Sequence, residues 1–319
     1  MIFGMMNNAI GKKIKRIIKR FLFYCKTYAA LAGLSFYGRK VLSAKAGNTV
    51  IKKLLAANRP LMITRLGNVE LQTIAFYIFK RSKGLPYPED IRKTLSFNAG
   101  FFPISDDNID KFAQTFIDAM KNIDALGVWF NKKEDYFCRK VATKAELFEL
   151  PGLDSYLFAK PWTAALAGKK VLVINPLAKS ITKQYSEARK YLFKDKDVLP
   201  EFELKTVKAV LSHAGAESET GFSSWFEALD FMKGELAKTD FDIALIGAGA
   251  YGLPLAAYVK SLGKQAVHVG GSLQLLFGIR GKRWDDFTSM KKLYNEYWVR
   301  PLAEETPAQA KGVEGGCYW

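Results

Sequence analysis

Short apolar runs alternate with stretches of helical spacing between residues 169 and 269, and no other feature limits the possible folds of this chain as strongly. Strands joined through helices of this length pair in parallel through right-handed crossovers. The predicted strands and intervening helices, in chain order, are Lys170–Asn175, Ser180–Phe193, Glu203–Leu211, Ser224–Lys238, Phe241–Ile246, Tyr251–Leu262 and Gln265–Val269. We therefore predict an α/β fold built on a Rossmann-like, doubly wound and mostly parallel sheet.

The chain before residue 169 carries weaker signals. Leu61–Thr64 and Ala125–Phe130 read as strands, a helix follows the first strand to about Phe79, and Asn108–Asn122 has helical spacing. Three prolines between residues 84 and 107 indicate a loop. We predict a basic amphipathic segment at residues 1–58, a single α/β domain at residues 59–300 and a C-terminal tail at residues 301–319.

Much of the net charge of +17 lies in the first fifth of the chain. Fourteen of the 48 lysines and arginines precede Glu70, which is the first of the 31 acidic residues. The remainder of the chain is nearly neutral. Because a nucleic-acid-binding body would carry its excess charge on the domain itself, we expect no nucleic-acid partner.

Residues Ile10–Leu22 have the pattern of a basic amphipathic helix, with isoleucines on one face and lysines and arginines on the other. Such a helix can lie in the interface of an anionic membrane. We expect a cytoplasmic protein held peripherally at the inner face of the membrane. A helix packed on the domain, a nucleic-acid arm and an organelle-targeting segment are the alternatives.

Neither a membrane span nor a disulfide framework is predicted. No apolar run reaches the roughly 18 residues that a transmembrane helix needs. Cys25, Cys138 and Cys317 are odd in number and widely spaced, which argues against disulfides and a zinc site and suits a reducing compartment.

The turn Gly247-Ala-Gly249-Ala-Tyr-Gly252 follows an apolar strand and opens a helix. Glycines let the backbone approach a ligand, and the free N–H groups of the helix start favour a phosphate-sized anion. A tight turn without a ligand is the alternative. NAD sites place an acidic residue at the end of the next strand, but here the next acid is Asp285. We therefore expect no NAD.

A second glycine-rich and basic segment follows the strand that ends at Val269. Ligands of parallel sheets bind at the carboxyl ends of the strands, and arginine suits phosphate oxygens. This segment can hold a diphosphate and stack a base or sugar, or it is a basic surface loop. Its residues with binding chemistry are Gly270, Gly271, Gln274, Arg280, Lys282, Arg283 and Trp284.

A third motif, Arg65-Leu-Gly67-Asn68-Val-Glu70, lies between a predicted strand and helix. Glu70 near a helix start can bind a divalent cation, act as a base, or complement the helix dipole. By spacing alone, dipole complementation is the simplest of the three.

These motifs and their order resemble the GT-D-type glycosyltransferases from about Arg59 to Trp284. The resemblance implies a single Rossmann-like domain, an early Asp-x-Glu metal site and a late glycine-rich turn that closes the site of a nucleotide sugar such as UDP-glucose. The segments at residues 269–284 and 313–319 also resemble uncharacterised bacterial proteins, many of them in surface-polysaccharide settings.

This chain departs from the family pattern at the metal site. Asn68 stands where the family has its metal-binding Asp, whereas Arg65 and Glu70 match. An Asn brings no charge and binds a hard cation more weakly. Glu70 and Asn68 are the candidate ligands for Mn²⁺ or Mg²⁺, with Asp106, Asp107 and Glu217 as possible substitutes. Use of no metal and loss of transferase activity are the other possibilities.

The resemblance implies a glycosyltransferase that moves a sugar from a nucleotide-diphosphate donor to a glycan or lipid-linked acceptor in surface-polysaccharide assembly. Glu70 and Arg65 are the predicted catalytic residues. The predicted donor-binding residues are Gly67, Asn68, Gly247, Gly249, Gly252, Gly270, Gly271, Gln274, Arg280 and Arg283. The rival hypotheses are a non-catalytic sugar-nucleotide-binding protein and a Rossmann-type oxidoreductase or methyltransferase.

Overall fold

A computed structural model describes residues 36–213, 220–307, 316 and 318–319 of the chain. The predicted helix Ile10–Leu22 lies outside these residues, as do Glu217, Cys25 and Cys317. Within the described part, no helix combines the length and apolar character needed to cross a membrane.

The described residues form one eight-stranded sheet in which every strand pair is parallel. In space the strands follow the order β1-β4-β3-β2-β8-β7-β5-β6. Their bounds are β1 Val41–Leu42, β2 Leu61–Arg65, β3 Ala125–Val128, β4 Glu146–Glu149, β5 Lys170–Asn175, β6 Glu203–Lys208, β7 Ile243–Ile246 and β8 Gln265–His268. The predicted α/β, Rossmann-like class is confirmed.

Helices cover both faces of the sheet. The bounds of the longer ones are α1 Ala44–Ala56, α2 Asn68–Phe79, α3 Glu89–Ala99, α4 Asp106–Met120, α5 Glu134–Lys140, α6 Ala178–Leu192, α7 Trp225–Lys238 and α8 Gly252–Ser261. Three single-turn helices follow, α9 Leu273–Leu276, α10 Lys282–Asp285 and α11 Thr288–Lys291.

Burial on both faces explains why the central strands β3 and β7 are continuous apolar runs. All residues of β3, β7 and β8 are buried. One core packs α2, α4, α7 and α8 against the sheet, with Trp225 stacked on Tyr251 at 4.8 Å between ring centroids. The opposite core contains Ile51 of α1 and Ile181 of α6. The edge strand β6 is polar and only partly buried, as its outer side is unpaired.

The loop predicted at residues 84–107 is wrong in its middle, because α3 lies there. Pro88 occupies the N-cap of α3, where a missing N–H costs nothing, so the proline begins the helix instead of breaking it. The strands β1 and β4 and the helices α1 and α5 were not predicted. Each of these strands is too short for an apolar alternation to stand out.

β1 and α1 precede residue 59, the predicted start of the domain. β1 pairs with β4, and Ile51 and Leu55 of α1 are fully buried. Residues 41–56 therefore pack into the body ahead of that predicted start. The division into segment, domain and tail stays a prediction.

A crevice forms at the carboxyl ends of the strands. The chain leaves β2 toward β3 on one side and leaves β5 toward β6 on the other, so the loops after these strands diverge. Such a reversal of strand order is where open α/β sheets bind ligands. The three motifs of the sequence all lie on this edge.

Candidate functional site

A cleft of about 590 Å³ lies at this reversal and is lined by the loops that follow β2, β3, β5, β6, β7 and β8. This volume falls in the ordinary range for a small-molecule site. The predicted site residues that line the cleft are Arg65, Gly67, Asn68, Glu70, Gly247, Gly249, Gly270, Gly271, Gln274 and Arg283. Gly252 and Arg280 are not among its lining residues.

Arg65, the last residue of β2, presents an available cation to the cleft. Its guanidinium lies over the Trp129 ring, with 4.5 Å between Cζ and the ring centroid. Within the described part of the chain, no carboxylate lies at ion-pair distance from Arg65, and its buried Nε has no hydrogen-bond partner. An anionic ligand would supply the missing partner.

Gly270 makes room for this guanidinium. Its φ of +81° is a conformation that glycine adopts readily. A Cβ atom placed on Gly270 would lie 2.8 Å from Nη1 of Arg65. The position of Arg65 therefore depends on the loop after β8, the strand next to β2 in the sheet.

Glu70 lies at the start of α2 with its carboxylate folded back over Gly67. A Cβ atom on Gly67 would lie 2.0 Å from Oε2 of Glu70. Burial raises the pKa of Glu70, while a hydrogen bond from its own N–H and the charge of Arg65 act in the opposite direction. Glu70 thus interacts with the helix start and also lines the cleft.

The loop after β3 is held by the fully buried Glu134. The Glu134 carboxylate accepts hydrogen bonds from the N–H groups of Trp129 (3.1 Å) and Asn131 (2.8 Å). The Asn131 side chain donates to the carbonyl of Leu66 at 3.3 Å and so ties this loop to the one after β2. Burial raises the pKa of Glu134 to about 7.

Replacing Glu134 by alanine is expected to lower the free energy of unfolding by about 1–3 kcal/mol, because the N–H groups of Trp129 and Asn131 lose a buried acceptor. Glu134→Gln keeps one acceptor oxygen and should lose less. Urea unfolding at pH 7.5 measures both. Equal stability of the alanine variant and wild type would show that the carboxylate does not hold this loop.

The turn from Gly247 to Gly252 brings three loops into contact. A Cβ on Gly247 would lie 2.6 Å from Nδ2 of Asn175 and 2.8 Å from the Gly270 carbonyl oxygen. Gly249 has a φ of +53°, and a Cβ there would lie 2.9 Å from Cε1 of His213. The first N–H groups of the helical segment that starts at Gly249 have no helical partner, which suits an anion.

His213 and His268 are both neutral in this environment. Burial lowers the pKa of His213 to about 4 and that of His268 to about 3, and the charge of Arg65 adds to the second shift. Nδ1 of His268 lies 2.9 Å from Oγ1 of Thr64. The positive charge of the cleft therefore comes from its arginines.

Gly252 does not line the cleft but lies against His268, which does. A Cβ on Gly252 would lie 2.3 Å from Nε2 of His268, so its role is close packing of α8 on β8. We expect Gly252→Ala to lower the free energy of unfolding by about 1–3 kcal/mol through overpacking.

Gly234→Ala is the matched control for Gly252→Ala. It also belongs to a helix, α7, and nothing lies within 4 Å of its added Cβ. The control should be neutral or stabilising by up to about 1 kcal/mol. Thermal and urea unfolding measure both variants, and equal effects would contradict the packing role of Gly252.

The loop after β8 is walled by residues near the end of the sequence. A Cβ on Gly271 would lie 2.3 Å from Cε1 of Tyr318. Gln274 donates to the Tyr318 carbonyl at 3.0 Å, and Arg283 donates to the Tyr318 hydroxyl at 3.2 Å. Tyr318 and Trp319 line the cleft as a result.

Two other residues singled out in this segment, Arg280 and Trp284, do not line the cleft. Arg280 pairs with Asp285 at 3.3 Å and lies over the Tyr294 ring at 4.6 Å. Trp284 is only 8% exposed and belongs to the core. The rings that do line the cleft are Trp129, Phe130, Tyr318 and Trp319.

A divalent cation has few protein ligands in this cleft. The described residues contain no group of three His, Cys, Asp or Glu that could hold a metal. Glu70 and Asn68 both line the cleft, whereas Asp106 pairs with Arg81 and Arg92, and neither it nor the exposed Asp107 is a lining residue. One carboxylate and one amide can hold Mg²⁺ only when phosphate oxygens of the bound substrate complete its coordination shell.

Several lining residues carried no motif in the sequence. Most of them lie at or within a few residues after the carboxyl ends of strands, which is the one general signal that points to them. They are Trp129, Asn131, His213 and His268, together with the distant Tyr318.

No protein-family model and no curated protein matches the chain. Two solved structures are similar over 84% of this chain and 92% of theirs, each with a TM-score of 0.43 and 12% identity. One is a selenomethionine-substituted structure of domain of unknown function 1792. The other is described as "The highly conserved domain of unknown function 1792 has a distinct glycosyltransferase fold". At this level of similarity, an assignment of function rests on the cleft itself.

Proposed function

We propose that this protein is a glycosyltransferase that moves a sugar from a nucleotide-diphosphate donor to an acceptor hydroxyl. The observation that carries the proposal is the guanidinium of Arg65, which faces a cleft of ligand size and has no ion-pair partner among the described residues. The donor supplies the anion that this cation lacks.

The diphosphate would lie between Arg65 and the glycine turn. Gly249 and Ala250 begin this helical segment and both line the cleft, and N–H groups at a helix start favour an anion. Arg283 is a second cation in the lining. Among the described residues that line the cleft, Glu70 is the one acidic side chain, beside the two arginines Arg65 and Arg283. Two arginines beside one acidic side chain favour an anionic ligand over a neutral one.

The base or the sugar would pack on the aromatic wall. The ring of Trp129 is 38% exposed and is held by the Glu134 loop beside Arg65. Tyr318 and Trp319 provide further rings across the loop after β8. Aromatic faces bind both nucleobases and the apolar faces of sugars.

In the proposed reaction, the acceptor hydroxyl oxygen forms a bond to the anomeric carbon of the donor sugar. The bond from that carbon to the diphosphate oxygen breaks, and its electron pair leaves with the nucleoside diphosphate. The hydroxyl proton passes to the Glu70 carboxylate. Arg65 and the glycine turn stabilise the charge that develops on the diphosphate.

Thermal unfolding in the presence of candidate donors tests the proposal. UDP-, GDP-, CMP- and dTDP-sugars are compared with NAD and S-adenosylmethionine, each with and without Mn²⁺. We expect a UDP-sugar to raise the melting temperature by a few degrees, because a ligand specific to the native state stabilises it by mass action. A shift with NAD or S-adenosylmethionine alone would favour an oxidoreductase or methyltransferase.

A non-catalytic sugar-nucleotide-binding protein is the second candidate, and Asn68 is the observation that favours it. Asn68 is exposed at the rim of the cleft and brings no charge for a metal. A nucleotide sugar that binds without release of nucleoside diphosphate, with every acceptor tried, would support this candidate over the transferase.

We further propose that the acceptor is a glycan or lipid-linked saccharide and that residues 1–24 hold the protein at an anionic membrane. The basic amphipathic pattern of Ile10–Leu22 supports this. Flotation on anionic liposomes should be lost when residues 1–24 are deleted. Unchanged flotation of the deletion variant would show that this segment is not the anchor.

A further inference from the structure

A second cavity, of about 640 Å³, runs along the outer edge of β6. We propose that it binds the acceptor as a sugar chain, an inference that rests on the proposed transferase function. One wall is the edge strand itself, another is α7, and the third is the segment at residues 304–307.

The groove adjoins the donor cleft. Pro176, just after β5, and Leu211, just after β6, line both cavities. In the proposed complex, the end of a chain lying along β6 meets the cleft at these two residues. It arrives next to His213, which packs against Gly249 of the anion turn. The acceptor hydroxyl would then approach the donor beside its diphosphate.

The wall at residues 304–307 is fixed in place. Glu305 is buried, and its carboxylate accepts hydrogen bonds from the N–H groups of Lys179 (2.8 Å) and Ser180 (2.9 Å). These two N–H groups lie in the first turn of α6, where a carboxylate is favoured. These hydrogen bonds hold one wall of the groove against the start of α6.

The lining of the groove combines apolar and polar side chains. Phe231 is 48% exposed, and its ring packs against Phe222 with 5.2 Å between centroids. Sugar rings stack an apolar face on aromatics and turn their hydroxyls toward polar groups. The polar side chains that line the groove beside Phe231 include Thr206, Lys208, Thr220 and Glu235.

This mixture favours a glycan over a lipid chain or an apolar peptide. Methylene groups in the groove would cover the exposed Lys208 without giving it a polar partner, and they would remove water from the Glu235–Lys238 ion pair, which is costly. A sugar chain offers both groups hydroxyl partners. The lipid portion of a lipid-linked acceptor would therefore lie outside the groove.

The test compares Phe231→Ala with Phe287→Ala by saturation-transfer NMR on methyl glycosides of the common hexoses and on simple disaccharides. Phe287 is the matched control because it is 51% exposed and lines neither cavity. Both substitutions remove an exposed ring, so both variants should fold, and their melting temperatures confirm it.

We expect wild type and Phe287→Ala to transfer saturation to at least one glycoside, and Phe231→Ala to lose at least half of that signal. The donor-induced thermal shift should be the same in all three proteins. Equal signals in both variants, transfer to no glycoside, or binding of extended peptides instead would overturn the groove as a glycan site. If a donor raises the melting temperature but no glycoside binds, the glycan site is contradicted and the proposed function is not. If a glycoside binds but no donor raises the melting temperature, the proposed function is contradicted.

Discussion

Replacing Arg65 by glutamine is expected to weaken donor binding about 10²–10⁴-fold and to reduce transfer to background. The guanidinium would make two charged hydrogen bonds to the diphosphate, each contributing about 1.5–3 kcal/mol. Glutamine keeps a polar side chain but loses the charge and the planar fork. Calorimetric titration of the donor identified by the thermal screen measures the change in affinity.

Arg59→Gln is the control for this substitution. Arg59 lies near the opposite end of β2, is exposed, and pairs with Asp124 at 3.5 Å. The control should bind donor as wild type does. Arg65→Lys should lie between wild type and Arg65→Gln, because it restores charge without the fork. An Arg65→Gln variant that folds and binds donor with wild-type affinity would contradict the diphosphate site.

Glu70→Gln is expected to reduce turnover by about 10²–10⁴-fold while leaving donor affinity within a few fold of wild type, because a general base contributes a factor of this size. Burial raises the pKa of Glu70 above the ordinary 4.5. Only the ionised carboxylate can accept the proton. The wild-type rate should therefore rise with pH through this raised pKa. The acid limb of the pH–rate profile then lies above pH 4.5.

Glu89→Gln is the matched control for Glu70→Gln. Both carboxylates lie in the first turn of a helix, but Glu89 of α3 is exposed and lies outside the donor cleft. The control should keep both the rate and the acid limb. If Glu70→Gln keeps the rate, Glu70 is not the base. If it loses donor affinity only in the presence of Mn²⁺, its role is to hold a metal with the donor phosphates.

The fold was predictable where strands are buried on both faces. Lys170–Asn175 was predicted with its observed bounds, since a strand between two helical layers is a continuous apolar run. β4 was missed because only two of its four residues are buried, which leaves no pattern. Helix α3 was missed because proline marks a helix start as readily as a loop.

The location of the site could be predicted from the sequence, but some of its residues could not. The glycine turn and the loop after β8 were found because ligand sites follow the carboxyl ends of parallel strands. Gly271 and Tyr318 are in contact but lie far apart in the chain, so no local sequence pattern predicts this contact. Spacing cannot separate Arg283, which lines the cleft, from Arg280, which pairs with Asp285.

Hydrogen exchange measured by mass spectrometry, with and without UDP-glucose, tests the central claim most directly. If the cleft binds the donor, exchange should slow in the peptides that cover residues 65–71, 129–134, 247–254 and 270–276. Exchange in α1, which contributes no residue to the cleft lining, should not change. Protection confined to other segments would contradict the assignment of this cleft as the donor site. The same conclusion would follow if no nucleotide sugar that raises the melting temperature slowed exchange in these peptides.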